Sequence, residues 1–176
     1  MIIYMVSMLA ITPLGAFGHS ISPGICGIFS GTVIYFMSKK LGKMWQYTIM
    51  TVLIMACFTL MGGGYIPWFI TSISMAILAD FIASRKGKEV DQHRVAIASG
   101  ILHVGQAWGA IIPANFFLSR YKSYWMQKGQ TEADMNAYIK YTAGVWGLIS
   151  TALVFVMAVI GAYFGYLILR KHFKEA

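Results

Sequence analysis

Long apolar runs constrain this sequence more than any other feature. The stretch from 65 to 83 is mostly apolar and carries one acidic residue, Asp80, near its end. A helix needs about 20 mostly apolar residues to cross the roughly 30 Å hydrocarbon core of a bilayer. At 58% hydrophobic and 11% charged residues, a soluble fold of 176 residues would have too small a core for this apolar surface. The sequence therefore predicts an integral membrane protein with the lipid bilayer as its solvent.

Six such runs predict an all-α integral membrane protein, a compact bundle of about six transmembrane helices in a single domain over residues 1–176. Strands of a membrane barrel would alternate polar and apolar residues, and these runs do not. The first run begins at Met1 without a polar or basic flank, so we expect its helix to be truncated. The predicted segments are 2–17, 24–38, 46–61, 65–83, 95–118 and 142–169.

The positions of the basic residues predict an orientation. If all six segments cross, ten of the fourteen Lys and Arg residues lie on one side of the membrane. Cytoplasmic loops carry the excess of positive charge, so both termini are predicted to be cytoplasmic. The net charge of +8 is then an orientation signal, and no nucleic-acid partner is needed to explain it. The ten residues are Lys39, Lys40, Lys43, Arg85, Lys86, Lys88, Arg94, Arg170, Lys171 and Lys174.

Two further patterns concern packing. The outer stretch "SRYKSYWMQKGQTEADMNAYIKY" mixes charges with aromatics, which predicts an interfacial helix or a cap over the outer surface. Glycines four residues apart let helix backbones approach closely in lipid. We expect these pairs to pack inside the monomer rather than between subunits. They are Gly27 with Gly31, Gly105 with Gly109, and Gly161 with Gly165.

Aromatic and amide side chains gather at the predicted outer ends of the helices. Such a combination is typical of a small-ligand pocket, with polar groups on the fifth segment as its floor. The alternatives are an aromatic belt at the lipid headgroups and, for the floor residues, hydrogen bonds between helices. The predicted substrate-binding residues are Tyr65, Trp68, His103, Gln106, Asn115, Tyr141 and Trp146.

Catalytic and metal-binding motifs are missing from the sequence. It contains no His-Glu-x-x-His motif, no Gly-x-Ser-x-Gly elbow and no phosphate loop, so we expect no catalytic residue, metal or cofactor. Cys26 and Cys57 lie in apolar segments without paired spacing and are expected to be buried thiols. Asp80 is expected to form an interfacial ion pair with Arg85 or hydrogen bonds at a helix end.

Three stretches carry a resemblance to a transporter family. The exit of the second segment reads "GTVIYFMSKKLGK", the fourth runs from "GGGYIPW" to "ADFIASRKGK", and the chain ends in "GAYFGYLILRKHFKEA". From the second segment to the last residue the chain resembles the substrate-binding S components of energy-coupling-factor (ECF) transporters, in the branch labelled Trep_Strep or MptD. The terminal Gly-x-x-x-Gly followed by the basic run is the most specific part of the likeness.

That resemblance implies a multi-pass protein of the prokaryotic plasma membrane that captures a small vitamin-like micronutrient outside the cell. It also implies a transmembrane coupling protein and two cytoplasmic ATPase subunits as partners, with ATP hydrolysis on the partners. S components typically dock through an Ala-x-x-x-Ala face on the first helix, whereas here Ala10 has Val6 and Leu14 four residues away. Two other function classes stay open: a self-sufficient small transporter or channel, and an intramembrane enzyme that uses His103 with His19 or Asp80.

Overall fold

The computed structural model describes residues 14–61, 63–84 and 91–171, and within these ranges the chain folds into helices without a β-strand. Residues 2–13 of the predicted first segment, including Ala10, lie outside the described residues. The described helices are α1 Gly15–Ser20, α2 Ser22–Lys40, α3 Gln46–Leu60, α4 Ile66–Ala83, α5 Gln92–Phe116, α6 Leu118–Gln127, α7 Glu132–Thr142 and α8 Gly144–Leu169.

Three of these helices, α4, α5 and α8, are long and apolar enough to cross a membrane. Helix α3 is apolar but has 15 residues, and α2 has 19 residues but falls outside the set because serines, glycines and two lysines lower its hydropathy. The predicted all-helical fold is thus confirmed for the described residues, three of whose helices suit a membrane span. The count of six spans and the cytoplasmic location of both termini stay predictions.

Helices α2 and α8 pack backbone to backbone through glycine. A Cβ atom on Gly165 would lie 2.6 Å from the carbonyl oxygen of Gly31, and a Cβ on Gly31 would overlap the backbone of Gly161. Real Cβ atoms essentially never come this close to another heavy atom. The two Gly-x-x-x-Gly motifs therefore interlock within one monomer, which confirms the prediction for these pairs.

Helices α4 and α5 use the third glycine pair in the same way. A Cβ on Gly105 would lie 3.0 Å from the carbonyl oxygen of Thr71, and one on Gly109 would lie 2.7 Å from the Cα of Trp68. The close approach brings the start of α4 against the second half of α5. This contact fixes the position of Trp68 at the start of α4.

One end of the bundle is held by a buried polar network. Asp80 on α4 is fully buried, and its carboxylate accepts hydrogen bonds from the backbone N–H groups of Tyr47 and Thr48 at 3.0 and 2.9 Å. The hydroxyl of Tyr47 lies 2.6 Å from that of Ser38 on α2. Asp80 thus forms hydrogen bonds at a helix end, as predicted, although the helix it caps is α3 and not its own. The other predicted partner, Arg85, lies outside the described residues.

Helices α6 and α7 cover the opposite end of the bundle. They are joined by a turn at Gly129, whose φ of +95° lies in the left-handed region that glycine tolerates best. Helix α6 contacts α5 and α7, while α7 contacts α1, α5 and α8. The mixed-charge segment therefore forms two helices that cap the bundle, in agreement with the predicted cap.

Candidate functional site

A cavity of about 700 Å³ lies beneath this cap. Its walls come from α1, the first turns of α2, the connection between α3 and α4, the second half of α5, and the cap helices α6 and α7. Pockets of roughly 300–1,000 Å³ hold small molecules and cofactors. The cavity thus has the size of a small-ligand site and lies at the end of the bundle that the charge pattern predicts to face outward.

Aromatic rings form the wall beneath the cap. The ring centroid of Tyr65 lies 5.9 Å from that of Tyr121, 4.7 Å from that of Tyr124 and 5.9 Å from that of Trp125. The Tyr124 hydroxyl also donates a hydrogen bond to the carbonyl of Gly64. Burial raises the pKa of the Tyr121 phenol well above its usual value, so its hydroxyl stays protonated at neutral pH. This cluster anchors α6 to the α3–α4 connection and presents flat apolar surfaces to the cavity.

Trp68 forms the wall where α4 meets α5. Since Gly109 lacks a side chain, the backbone of Trp68 can lie directly against α5. The indole is held edge-on by Phe58 on α3, with ring centroids 5.6 Å apart. Both Trp68 and Phe58 line the cavity. The glycine of α5 therefore determines where this aromatic surface lies.

Polar groups are few on the cavity wall. Gln106, in the middle of α5, is partly buried and makes no side-chain hydrogen bond to any described residue. An amide within a membrane-spanning helix normally faces protein partners or a water-filled space, because leaving it unpaired in lipid is costly. His19, Gln130 and Asp134 lie exposed around the rim. Gln106 is therefore a polar group placed to meet a molecule inside the cavity, and Ser22 at the start of α2 also lines the wall.

Three of the seven predicted site residues line the cavity: Tyr65, Trp68 and Gln106. His103 does not. It is 3% exposed, its Nδ1 lies 2.8 Å from the carbonyl oxygen of Ser99, and its Nε2 lies 3.2 Å from the Ser30 hydroxyl. Both ring nitrogens thus have protein partners, one within α5 and one on α2. This arrangement agrees with the alternative that His103 forms hydrogen bonds between helices.

Asn115 also lies away from the cavity wall. Its amide nitrogen donates to the carbonyl oxygens of Ile111 and Thr142 at 2.7 and 3.0 Å, and its oxygen accepts from the backbone N–H of Gly144 at 2.7 Å. The side chain therefore joins the end of α5 to the junction of α7 and α8. Three of the hydrogen bonds that the amide can form are made to backbone groups.

Tyr141 and Trp146 pack against each other outside the cavity wall. Their ring centroids are 5.7 Å apart in an edge-to-face arrangement, and Phe17 packs on the other side of Tyr141 at 5.4 Å. Trp146 is 45% exposed. This exposure is typical of a tryptophan in an aromatic belt at a membrane surface.

Several wall residues are absent from the predicted binding site because they belong to the cap. Tyr121 and Trp125 lie four residues apart on α6, as do Asp134 and Tyr138 on α7. Residues at this spacing share one helix face, so helical periodicity in the cap segment was the available signal. His19 carried no such signal, because only the packing of α1 against α7 brings it to the rim. Within the described ranges no three His, Cys, Asp or Glu side chains gather to hold a metal ion.

Comparison with known proteins identifies one family. The profile of a family described as "Hypothetical bacterial integral membrane protein (Trep_Strep)" matches residues 1–175. Neither a curated protein nor a solved structure matches the chain.

Proposed function

The chain belongs to the Trep_Strep family of bacterial integral membrane proteins, and from that premise we propose that it is the substrate-binding subunit of an ECF-type ABC transporter. In this role it captures a small, vitamin-like micronutrient on the outer face of the plasma membrane. It then delivers the molecule through a coupling module made of a transmembrane protein and two cytoplasmic ATPases.

The observation that carries the proposal is the capped cavity with the unpaired amide of Gln106 on its wall. Flat aromatic surfaces surround it, including Tyr65 and Trp68, while the cap helices leave a polar rim. A mostly apolar pocket of this size with a small number of polar groups suits binding of one small molecule. The resemblance of the basic helix ends and the terminal Gly-x-x-x-Gly to S components supports the same role.

The position of His103 also agrees with a role of this chain in ligand binding rather than in catalysis. A catalytic imidazole needs a nitrogen within hydrogen-bond reach of the substrate. Here both nitrogens face Ser99 and Ser30, and the residue is not on the cavity wall. Asp80 lies at the opposite end of the bundle, committed to α3. We therefore assign no reaction to His103 or Asp80, and the resemblance to S components implies that ATP hydrolysis occurs on the partner subunits.

Two measurements test the proposal. First, the chain is purified in lipid nanodiscs and its retained small molecules are identified by native mass spectrometry. Ala110 lines the cavity, so Ala110→Trp should fill it and abolish retention. Ala152 is exposed on α8, so Ala152→Trp is the matched control and should retain the molecule.

Second, the chain is reconstituted in proteoliposomes with and without the coupling protein and ATPases of the same cell. Ligand accumulation should require the partners and ATP. Sustained uphill uptake by the chain alone would contradict the subunit role, and equal retention by Ala110→Trp would contradict the cavity.

A further inference from the structure

Charge is distributed unevenly around the cavity. The chain carries a net charge of +8, yet no Lys or Arg lies among the described residues of the wall. Its one carboxylate is Asp134. Residues 1–13 and Gly62, which lie outside the described ranges, contain no charged side chain in the sequence. Among the charged side chains of the described wall there is therefore one negative charge, on Asp134, and no Lys or Arg.

The cations of the cap segment are directed elsewhere. Lys122 donates a 2.6 Å hydrogen bond to Asn136, and the Lys140 ammonium lies 5.6 Å from the ring centroid of Tyr141, outside the wall. Arg120 and Lys128 are exposed and also absent from the wall. A site for a phosphate or carboxylate would need such groups, since charge-assisted hydrogen bonds from Arg or Lys are the strong ones for anions.

Two of the helix N-termini at the cavity, those of α2 and α7, do not compensate for the missing cations. The α2 N-terminus borders the cavity, but Pro23 has no N–H, and the N–H groups of Gly24 and Ile25 already donate to Ile21 at 2.9 and 3.2 Å. The N-terminus of α7 has its own cap at Thr131 and carries Glu132 and Asp134 in its first turn. Neither of these two termini offers an anion unpaired N–H groups. The start of α4, which also borders the cavity, has no side-chain cap and is a remaining positive helix end there.

Asp134 is held in a defined position at the rim. The Thr131 hydroxyl donates to its Oδ2 at 2.6 Å, and the backbone N–H of Asp134 donates to the same hydroxyl oxygen at 3.1 Å. Its Oδ1 makes no hydrogen bond to a described residue, so this oxygen can receive a donor from a ligand. Tyr138 follows one turn later on the same helix face, and Trp125 lies on the facing α6 wall. Aromatic faces attract cations through the ring quadrupole, and aromatic cages recognise ammonium groups in this way.

We infer that the cavity binds an aromatic cation, that is, a planar ring carrying a protonated amine. The ring lies against the aromatic wall near Trp68 and Tyr65. The ammonium group lies at the rim and donates to Asp134, and the Gln106 amide pairs with a polar substituent of the ring. This inference rests on the proposed function and names the substrate class of the same site.

Three probes that share one ring and differ in charge test it: tryptamine, indole-3-acetamide and indole-3-acetate. Their dissociation constants are measured by isothermal titration calorimetry on the chain in nanodiscs. Tryptamine should bind about tenfold more tightly than indole-3-acetate, because a hydrogen bond to a charged group favours the cation. Asp134→Asn keeps the size of the side chain and should remove that advantage. Glu132→Gln, an exposed acid on the same helix outside the wall, should preserve it.

Each outcome decides the substrate class. Equal or tighter binding of indole-3-acetate, or a tryptamine advantage that persists in Asp134→Asn, overturns the inference while leaving a binding cavity in place. Failure of all three probes to bind also overturns it. The proposed function is judged separately by the molecule that the purified chain retains, because that experiment uses none of these probes.

Discussion

The buried carboxylate of Asp80 on α4 accepts two hydrogen bonds from Thr48 on α3, one from its backbone N–H at 2.9 Å and one from its hydroxyl at 2.7 Å. The N-cap residue of α3, Trp45, makes no side-chain cap of its own. The first N–H groups of a helix have no partner within it, and in a membrane protein such groups must be satisfied by protein. Asp80 therefore supplies, from a neighbouring helix, the cap that α3 lacks.

Replacing Asp80 by alanine should destabilise the bundle by about 1–3 kcal/mol, because buried donors at the start of α3 lose their acceptor. The matched control is Asp91→Ala. Asp91 caps its own helix by accepting from the His93 N–H at 2.9 Å, but it is exposed, so water can replace it. Thermal unfolding in detergent should show the larger loss for Asp80. If both variants lost the same thermal stability, burial would not be the reason that the Asp80 cap is important.

Adding a side chain to the α2–α8 interface should disrupt the bundle. Gly161→Val places new atoms against the backbone of Gly27 and Ile28, where a Cβ on residue 161 would lie 2.6 Å from the Ile28 Cα. Overpacking typically costs about 1–3 kcal/mol. Ala152→Val adds bulk to an exposed position of the same helix and should be tolerated. Monodisperse elution of Gly161→Val with unchanged thermal stability would contradict the close packing.

Substitutions of the two amides on α5, Asn115 and Gln106, should have different effects: one should lower thermal stability, and the other should weaken ligand binding. Asn115→Ala should lower thermal stability by about 0.5–1.5 kcal/mol, because hydrogen bonds to the backbone of Thr142 and Gly144 are lost while water can reach part of this exposed site. Gln106→Ala should leave stability nearly unchanged and weaken retention of the ligand by about tenfold or more. The sequence alone placed both amides in the pocket. If Asn115→Ala weakened ligand binding and Gln106→Ala lowered thermal stability instead, Asn115 would belong to the binding site.

Trp68→Ala should weaken ligand binding by about three- to tenfold, since an aromatic contact contributes about 0.5–1.5 kcal/mol beyond its buried area. Trp45→Ala is the comparison, because Trp45 is 48% exposed at the opposite end of the bundle. Elution profiles confirm that each variant is folded before its affinity is measured. Unchanged affinity for Trp68→Ala would place the site elsewhere.

Membrane orientation can be tested with single cysteines in a background where Cys26 and Cys57 are replaced by alanine. Gln130→Cys in the turn between α6 and α7 should react with an impermeant maleimide in intact cells, and Lys43→Cys should not. Both side chains are exposed, whereas Ser20 is buried at 3% and would make a poor probe site. Reaction at residue 43 alone would invert the predicted topology.

Much of the fold could be predicted because hydropathy and charge are local properties of the chain. The apolar runs at 46–61, 65–83, 95–118 and 142–169 correspond to α3, α4, α5 and α8 within a few residues. Glycines four apart predicted close packing, and the structure pairs them as Gly31 with Gly161 and Gly109 with Trp68. The four-residue spacing of the glycines predicted that another helix packs closely against each pair, but it did not specify which helix.

The cavity was decided by tertiary structure, because its wall joins residues far apart in the chain. Positions along the chain predicted aromatics and amides toward the outer end, and the sequence assigned both Gln106 and Asn115 to the ligand site. Packing separates them: Asn115 meets the open backbone groups where α7 joins α8, while Gln106 faces a space that no described side chain fills. The sequence determined which groups are polar and at what depth they lie along a helix. Only the assembled bundle decided which of them are already satisfied by protein and which are left for a ligand, because hydrogen bonding depends on long-range neighbours.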